Sequence, residues 1–390
     1  MATTLVVNLG SSSKKYALYC GGKQALSVKF EKTSSGFEVC ASQTGEMQKK
    51  EQATMAEFNN SLKSVQATVD KYVFREGVSQ ISKIVIRVVA PGTAFQKHSV
   101  IDDEYIALLK SKIKSAPIHI PIVLREIGEI KETYPEIKII AASDSEFHKT
   151  IPSHARIYSI DSRDAEELDL YRFGYHGLSI SSINGRVHSL VGIDPEKMIV
   201  CHIGSGVSVT SLKNGVSVET TMGFTPTSGL PMSSRAGDLD STALLHLMNE
   251  RNWKPQEAEL YLDTRGGLVG IAGEADIRKL LDRKVQKDEK AELALNKFAY
   301  SIKKAIASGT VSLEGLDVLV LTATAAVRSI ELRSLVLSGL EHLGIKISED
   351  RNNLMVGKDG IISVQNSPVK VVVMRTDEMG EMSSIATQFD

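Results

Sequence analysis

The chain has 390 residues, 42% of them hydrophobic, and a formal net charge of -1. That length suggests roughly two to three domains with apolar content for sizeable cores, and the near-zero charge excludes the basic excess on which nucleic-acid or anionic-membrane partners depend. Cys20, Cys40 and Cys201 are too few and too scattered for a disulfide framework or a thiolate metal site, and without a leader-like start or an apolar run of ~20 residues the expectation is a cytoplasmic protein.

The first predicted strand, residues 5–9, carries Asn8 into the turn Gly10-Ser11-Ser12-Ser13, and a second strand follows over residues 16–19. Small residues let backbone N–H groups approach an anion, and serine hydroxyls add donors, so such a hairpin can hold phosphate oxygens. Residues 84–89 form an apolar strand around Arg87, whose guanidinium needs an anion there unless it reaches solvent from an edge. Helical spacing over residues 122–134 precedes a strand at 137–142. Asp144 comes next, at the end where open α/β sheets place ligands, although an aspartate there could also cap the following helix. The expected hinge lies near residues 143–152.

Residues 171–177 set His176 at a turn, in a structural or a functional role. A strand at 198–201 then repeats the opening device, running through His202-Ile203-Gly204-Ser205-Gly206 into a strand at 207–212. Two copies half a chain apart argue for two homologous domains facing across a cleft, since a solenoid repeats every ~20–50 residues. Neither copy is a Walker A loop or a dinucleotide fingerprint. Arg235 lies in a Gly/Ser-rich loop, residues 229–240, that leads into a helix at 241–248. The mixed charge run 283–290 reads as a solvated loop or helix face. A helix at 293–307, a strand at 318–321, a helical face of Leu332, Val336, Leu340 and Leu343 stopped by Gly344, and a strand at 369–374 complete the pattern. Antiparallel hairpins followed by strands reached through helices predict an α/β fold with mixed sheets. With no His/Cys cluster, a metal site must be oxygen-based; magnesium needs only an acid such as Glu378 beside waters and substrate phosphates, the alternative being a solvated acid.

Read in order, Asn8-Leu-Gly-Ser-Ser-Ser-Lys-Lys15, Arg87-Val-Val, Ala116-Pro-Ile-His-Ile-Pro121, Asp144 with Phe147-His148, Phe173-Gly-Tyr-His-Gly177, Cys201-His-Ile-Gly-Ser-Gly206, and Thr221-Met-Gly-Phe-Thr-Pro226 through Arg235-Ala-Gly-Asp-Leu-Asp240 resemble the acetate kinases nearly end to end. These belong with the sugar kinases, heat-shock ATPases and actin. The resemblance implies two duplicated ribonuclease-H-like, actin-like ATPase domains around a cleft, residues 1–146 with 378–390 and residues 147–377, the second carrying the nucleotide side and a homodimer interface. It also implies reversible, magnesium-dependent, in-line phosphoryl transfer between ATP and acetate, with manganese as the substitute ion.

Position by position, Asn8 and Glu378 resemble the pair that places the metal, and Lys15 a nucleotide-phosphate contact. Arg87 resembles the residue that holds the acetate carboxylate, with Val89, Ile118 and Pro226 as the methyl pocket. Such a pocket rejects an added methylene by only ~1 to 3 kcal/mol, so propionate is the expected second acceptor. Asp144 resembles the acid beside acetate and the transferring phosphate, and His176 and Arg235 resemble the stabilisers of that group. On the donor side the resemblance implies His202, Ile203, Gly204, Ser205 and Gly206, then Asp276, Ile277 and Arg278, then Ala323, Thr324, Ala325, Ala326 and Val327. This last stretch departs from the family's Gly-Gly-Ile-Gly-Glu: each added Cβ removes room and positive-φ freedom beside a flat base. Transfer from pyrophosphate or another nucleotide is therefore the alternative, and an inactive relative that binds phosphorylated metabolites is the alternative of another class.

Overall fold

A computed structural model describes residues 3–10, 13–33, 36–43, 49–76, 80–117 and 120–389. The chain divides into two units, Met1–Glu146 with Asp377–Asp390, and Phe147–Thr376.

In the first unit the strands are, in chain order, β1 (Thr3–Leu9), β2 (Ser13–Cys20), β3 (Lys23–Thr33), β4 (Gly36–Gln43), β5 (Lys49–Ala53), β6 (Lys83–Val88), β7 (Ser99–Val100) and β8 (Lys138–Ser143), of which β1, β6 and β8 are apolar runs with β-branched residues and β5 is polar and largely exposed. Among the described residues they make one sheet ordered β5-β4-β3-β2-β1-β6-β8-β7. β1 runs antiparallel to β2 and parallel to β6, which runs parallel to β8. β1 is buried along its whole length, which is why it reads as a continuous apolar run rather than an alternating one. The helix Ser61–Glu76 contributes Leu62, Val65 and Val69 to the core, and the helix Ile120–Thr133 contributes Ile120, Val123, Ile127 and Ile130. Glu126 shares that buried face, satisfied by the Tyr16 hydroxyl at 2.6 Å and the Lys14 ammonium at 3.5 Å, and burial raises its pKa.

The second unit adds β9 (Lys197–Ile203), β10 (Val207–Lys213), β11 (Val216–Thr220), β12 (Val318–Thr322), β13 (Gly360–Ile361) and β14 (Lys370–Val373). Their order among the described residues is β11-β10-β9-β12-β14-β13. This repeats β3-β2-β1-β6-β8-β7 strand for strand, with the same alternation of antiparallel and parallel pairs. The fold is thus α/β with a duplicated mixed sheet, to which the first copy adds β4 and β5. The long helix Glu289–Leu313 packs on β9 and β10, and a Cβ at Gly309 would come within 2.6 Å of the Ser211 hydroxyl, so glycine permits that close approach.

One local expectation changes. The helical face from Leu332 to Leu343 is not one helix: Ile330–Leu337 ends at Ser338, Gly339 turns left-handed at φ 82°, and a separate 3-10 turn, Glu341–Leu343, stops at Gly344. The charge run at 283–290 is, as expected, a solvated stretch of helix ends and loop; within it Arg283 pairs with Asp288 at 2.8 Å while Asp288 caps the long helix. Among the described residues the three cysteines are free, and no helix is long and apolar enough to cross a membrane.

Candidate functional site

In the first unit four side chains meet at the carboxyl ends of the central strands. Arg87 sits near the end of β6, and Asp144 directly follows β8, the strand paired with β6. The guanidinium grips the carboxylate in a fork, Nε to Oδ1 at 3.1 Å and Nη2 to Oδ2 at 2.8 Å. Asp144 is fully buried, and the Arg87 side chain is 17% exposed. Burial opposes the guanidinium charge, but Asp144 and then Glu378 outweigh it and raise the Arg87 pKa. The other edge of Arg87 turns to the Asn8 amide oxygen at 3.4 Å and lies 4.0 Å from Glu378. Asn8, near the end of β1, in turn donates to Glu378 at 2.8 Å. Glu378 opens the helix Glu378–Ala386, capped by Asp377, and is half-buried rather than solvated.

Asn8 and Glu378 offer only oxygen ligands, one of them charged, and no cluster of three or more His, Cys, Asp or Glu among the described residues could hold a metal alone. Such a sparse set fits an ion that keeps waters and takes ligands from a phosphorylated substrate, as magnesium does. Lys15 pairs with Asn8 in the β1–β2 register and is exposed. Gly10 closes the turn by donating to the Ser13 carbonyl at 2.7 Å; Ser11 and Ser12 lie outside the described residues. Val89 is half-buried just past β6, whereas Ile118 lies outside the described residues.

The second unit builds its own cluster on the β9–β10 turn. Gly204 N–H donates to the Gly206 carbonyl at 3.0 Å, and Ser233 N–H donates to the Ser205 carbonyl at 3.3 Å, drawing the Arg235 loop onto the turn. A Cβ on Gly206 would lie 3.0 Å from His176 Nε2 and 3.5 Å from Arg235 Nη1, so both candidate side chains border this glycine. Arg235 is steadied by donating to the buried Pro226 carbonyl at 3.3 Å. His176 caps the helix Gly177–Asn184 in a left-handed conformation, φ 63°, that histidine seldom adopts; its Nδ1 meets the Ser208 hydroxyl at 2.9 Å. Its ring stacks on His202 at 3.9 Å, and His202 Nδ1 meets the Ser179 hydroxyl at 2.9 Å. Ile203 is buried in β9, and Ser205 is exposed at the tip. Ser208 and Ser179 escaped the sequence reading, because a serine inside a strand or helix carries no local sign of orienting a distant imidazole.

Asp276 caps the helix Ile277–Val285 and forks to exposed Arg278 at 2.6 and 3.0 Å, while Ile277 is buried. The stretch after β12 is itself helical, Ala323–Arg328. Ala326 and Val327 face the interior, which leaves Thr324 exposed and Ala325 half-buried. Ala323 sits at φ 69°, and its Cβ is 3.6 Å from where a side chain at Gly204 would begin. A left-handed alanine costs about 1–2 kcal/mol. Ala323→Gly is therefore expected to raise unfolding stability by about 1 kcal/mol, read as a shift in the urea midpoint at unchanged slope; a less stable variant would contradict the strain.

A sequence model of the acetokinase family matches residues 3–384. The acetate kinase of Dictyoglomus turgidum is 34% identical over 382 residues, covering 96% of this chain and 94% of that protein. Among solved structures, Porphyromonas gingivalis acetate kinase superposes with a TM-score of 0.86 at 28% identity, covering 100% of this chain and 99% of that one. A propionate kinase from Francisella tularensis superposes with a TM-score of 0.87 at 26% identity, covering 98% of each chain.

Proposed function

The chain belongs to the acetokinase family, a kinase acting on a carboxyl group, and from that premise we propose that it catalyses reversible in-line phosphoryl transfer between ATP and acetate with magnesium bound. The observation that carries the reading is the Arg87–Asp144 fork with Asn8 and Glu378 against it. Phosphoryl transfer needs little covalent help, so the protein acts by placement and charge.

In this reading Arg87 binds the acetate carboxylate, and Asp144 orients Arg87 and lies beside the acceptor and the transferring phosphate. Val89, Ile118 and Pro226 enclose the methyl group. Asn8 and Glu378 would hold magnesium, which when bound would supply positive charge to the donor phosphate oxygens. Lys15 and the turn from His202 to Gly206 bind donor phosphates; residues 276–278 and 323–327 flank the nucleoside. His176 and Arg235 donate to the phosphoryl oxygens as their charge spreads in the transition state. A cytoplasmic homodimer serving acetyl phosphate metabolism is part of the same reading, as are domain boundaries at 146/147 and 377/378.

A second reading, transfer from pyrophosphate or another nucleotide, is favoured by the left-handed Ala323 and the helix it starts. Both readings meet one assay: purified protein with acetate, magnesium and ATP, GTP or pyrophosphate, acetyl phosphate being trapped with hydroxylamine. ATP-dependent hydroxamate well above that of Arg235→Ala is expected. Product from pyrophosphate alone would move the assignment to the second reading, and no product with any donor would sink both.

A further inference from the structure

Arginine is almost never fully buried without a charged partner, yet Arg333 is 1% exposed and its hydrogen bonds go to neutral oxygens, with Glu331 offsetting part of the cost of burying its charge. It lies in the helix Ile330–Leu337 beside buried Leu332 and Val336. Its hydrogen bonds go to two places. Nε and Nη2 donate to the Asn352 side-chain and backbone oxygens at 2.6 and 2.8 Å, and Nη1 donates to the carbonyls of Ala326 at 2.7 Å and Val327 at 3.3 Å. Those carbonyls end the helix Ala323–Arg328, where a cation meets orphan acceptors and the negative end of the helix dipole. Burial pushes the guanidinium pKa down to about 10, so it is still charged at neutral pH.

The segment it holds cannot hold itself. Six residues are too few for a helix to persist alone, Thr322 makes no side-chain capping bond, and Ala323 is left-handed. Asn352 is itself buried and pinned, its amide donating to the Ile330 carbonyl at 3.3 Å and the Ser334 hydroxyl at 3.1 Å. Arg333 thus ties the strained helix to a rigid neighbour and sets where Ala323 stands beside Gly204.

We propose that Arg333 is a positioning residue for the phosphoryl donor, fixing the helix Ala323–Arg328 next to the Gly204 turn through its bonds to Ala326, Val327 and Asn352. This rests on assigning that segment to the donor. Lysine retains the charge but not the planar fork, so Arg333→Lys in the full chain isolates the geometry. The measurements are ATP affinity by calorimetry with magnesium, acetate KM, and hydrogen exchange of amides 322–329. The expected result is faster exchange in that segment with β9 protected as before, ATP binding weakened about tenfold to a hundredfold, and acetate KM within about twofold.

Unchanged ATP affinity despite faster exchange, or ATP and acetate constants moving together, would overturn the proposal. Should Arg333→Lys not fold, Asn352→Ala decides on the same readouts, because it removes one anchor and spares the bonds to Ala326 and Val327. If the wild-type protein binds no ATP, the ATP assignment fails separately; the variants are then titrated with pyrophosphate, and an unaltered affinity there counts against Arg333.

Discussion

Arg235→Ala should lower the transfer rate by about 10³ to 10⁵, the range in which arginine-assisted phosphoryl transfers lose their cationic group. The side chain leans on the Pro226 carbonyl and borders Gly206 together with His176, so its charge is held in place before any phosphate arrives. A preorganised donor acts most on the charge that develops in the transition state, so kcat should fall while acetate KM stays within a few-fold. Arg235→Lys should restore little, since an ammonium cannot donate as a fork. Steady-state kinetics beside a thermal melt checks this. A loss below tenfold with an intact melt would mean that Arg235 does not touch the reacting group.

Asp144→Ala should act on stability and activity together. Asp144 is the fully buried partner of the Arg87 fork, and removing one member of a buried pair typically costs about 3–5 kcal/mol because the other charge is stranded. Glu378, 4.0 Å from Arg87, offsets part of this and sets the lower end of the range. Asp144→Asn keeps the shape and one acceptor, so it should be the more stable of the two while transferring poorly. Urea unfolding and turnover below the melting range separate the effects. An alanine variant within about 1 kcal/mol of wild type would show that the fork contributes little to holding the unit together.

Much of the fold was legible in the chain because its signals are local. The apolar runs that became β1, β6, β8, β9 and β12 are buried strands whose hydrophobicity is nearly continuous, and each Gly/Ser turn shows up in a few neighbouring residues. The helix expected from Leu332 to Leu343 failed for a reason of the same scale: Gly339 adopts a left-handed conformation that side-chain periodicity does not register. The stretch at 323–327 carries no helical periodicity of its own, and it closes into a short helix whose last carbonyls meet a buried arginine from the next element.

The duplicated device, the α/β class and the family are all readable along the chain, since strand periodicity, turn composition and ordered motifs need no knowledge of what lies across the fold. Which side chains touch depends on three-dimensional packing. Asn8 reaches Glu378 across 370 positions because the helix Glu378–Ala386 packs on β1 and β6, and Arg87 reaches Asp144 across 57 through the parallel register of β6 and β8. The stacking of His176 on His202 and the burial of Arg333 likewise depend on where helices dock on the sheet. Pairing register and crossover path are settled by burying the whole core at once, so no local window of the chain contains them.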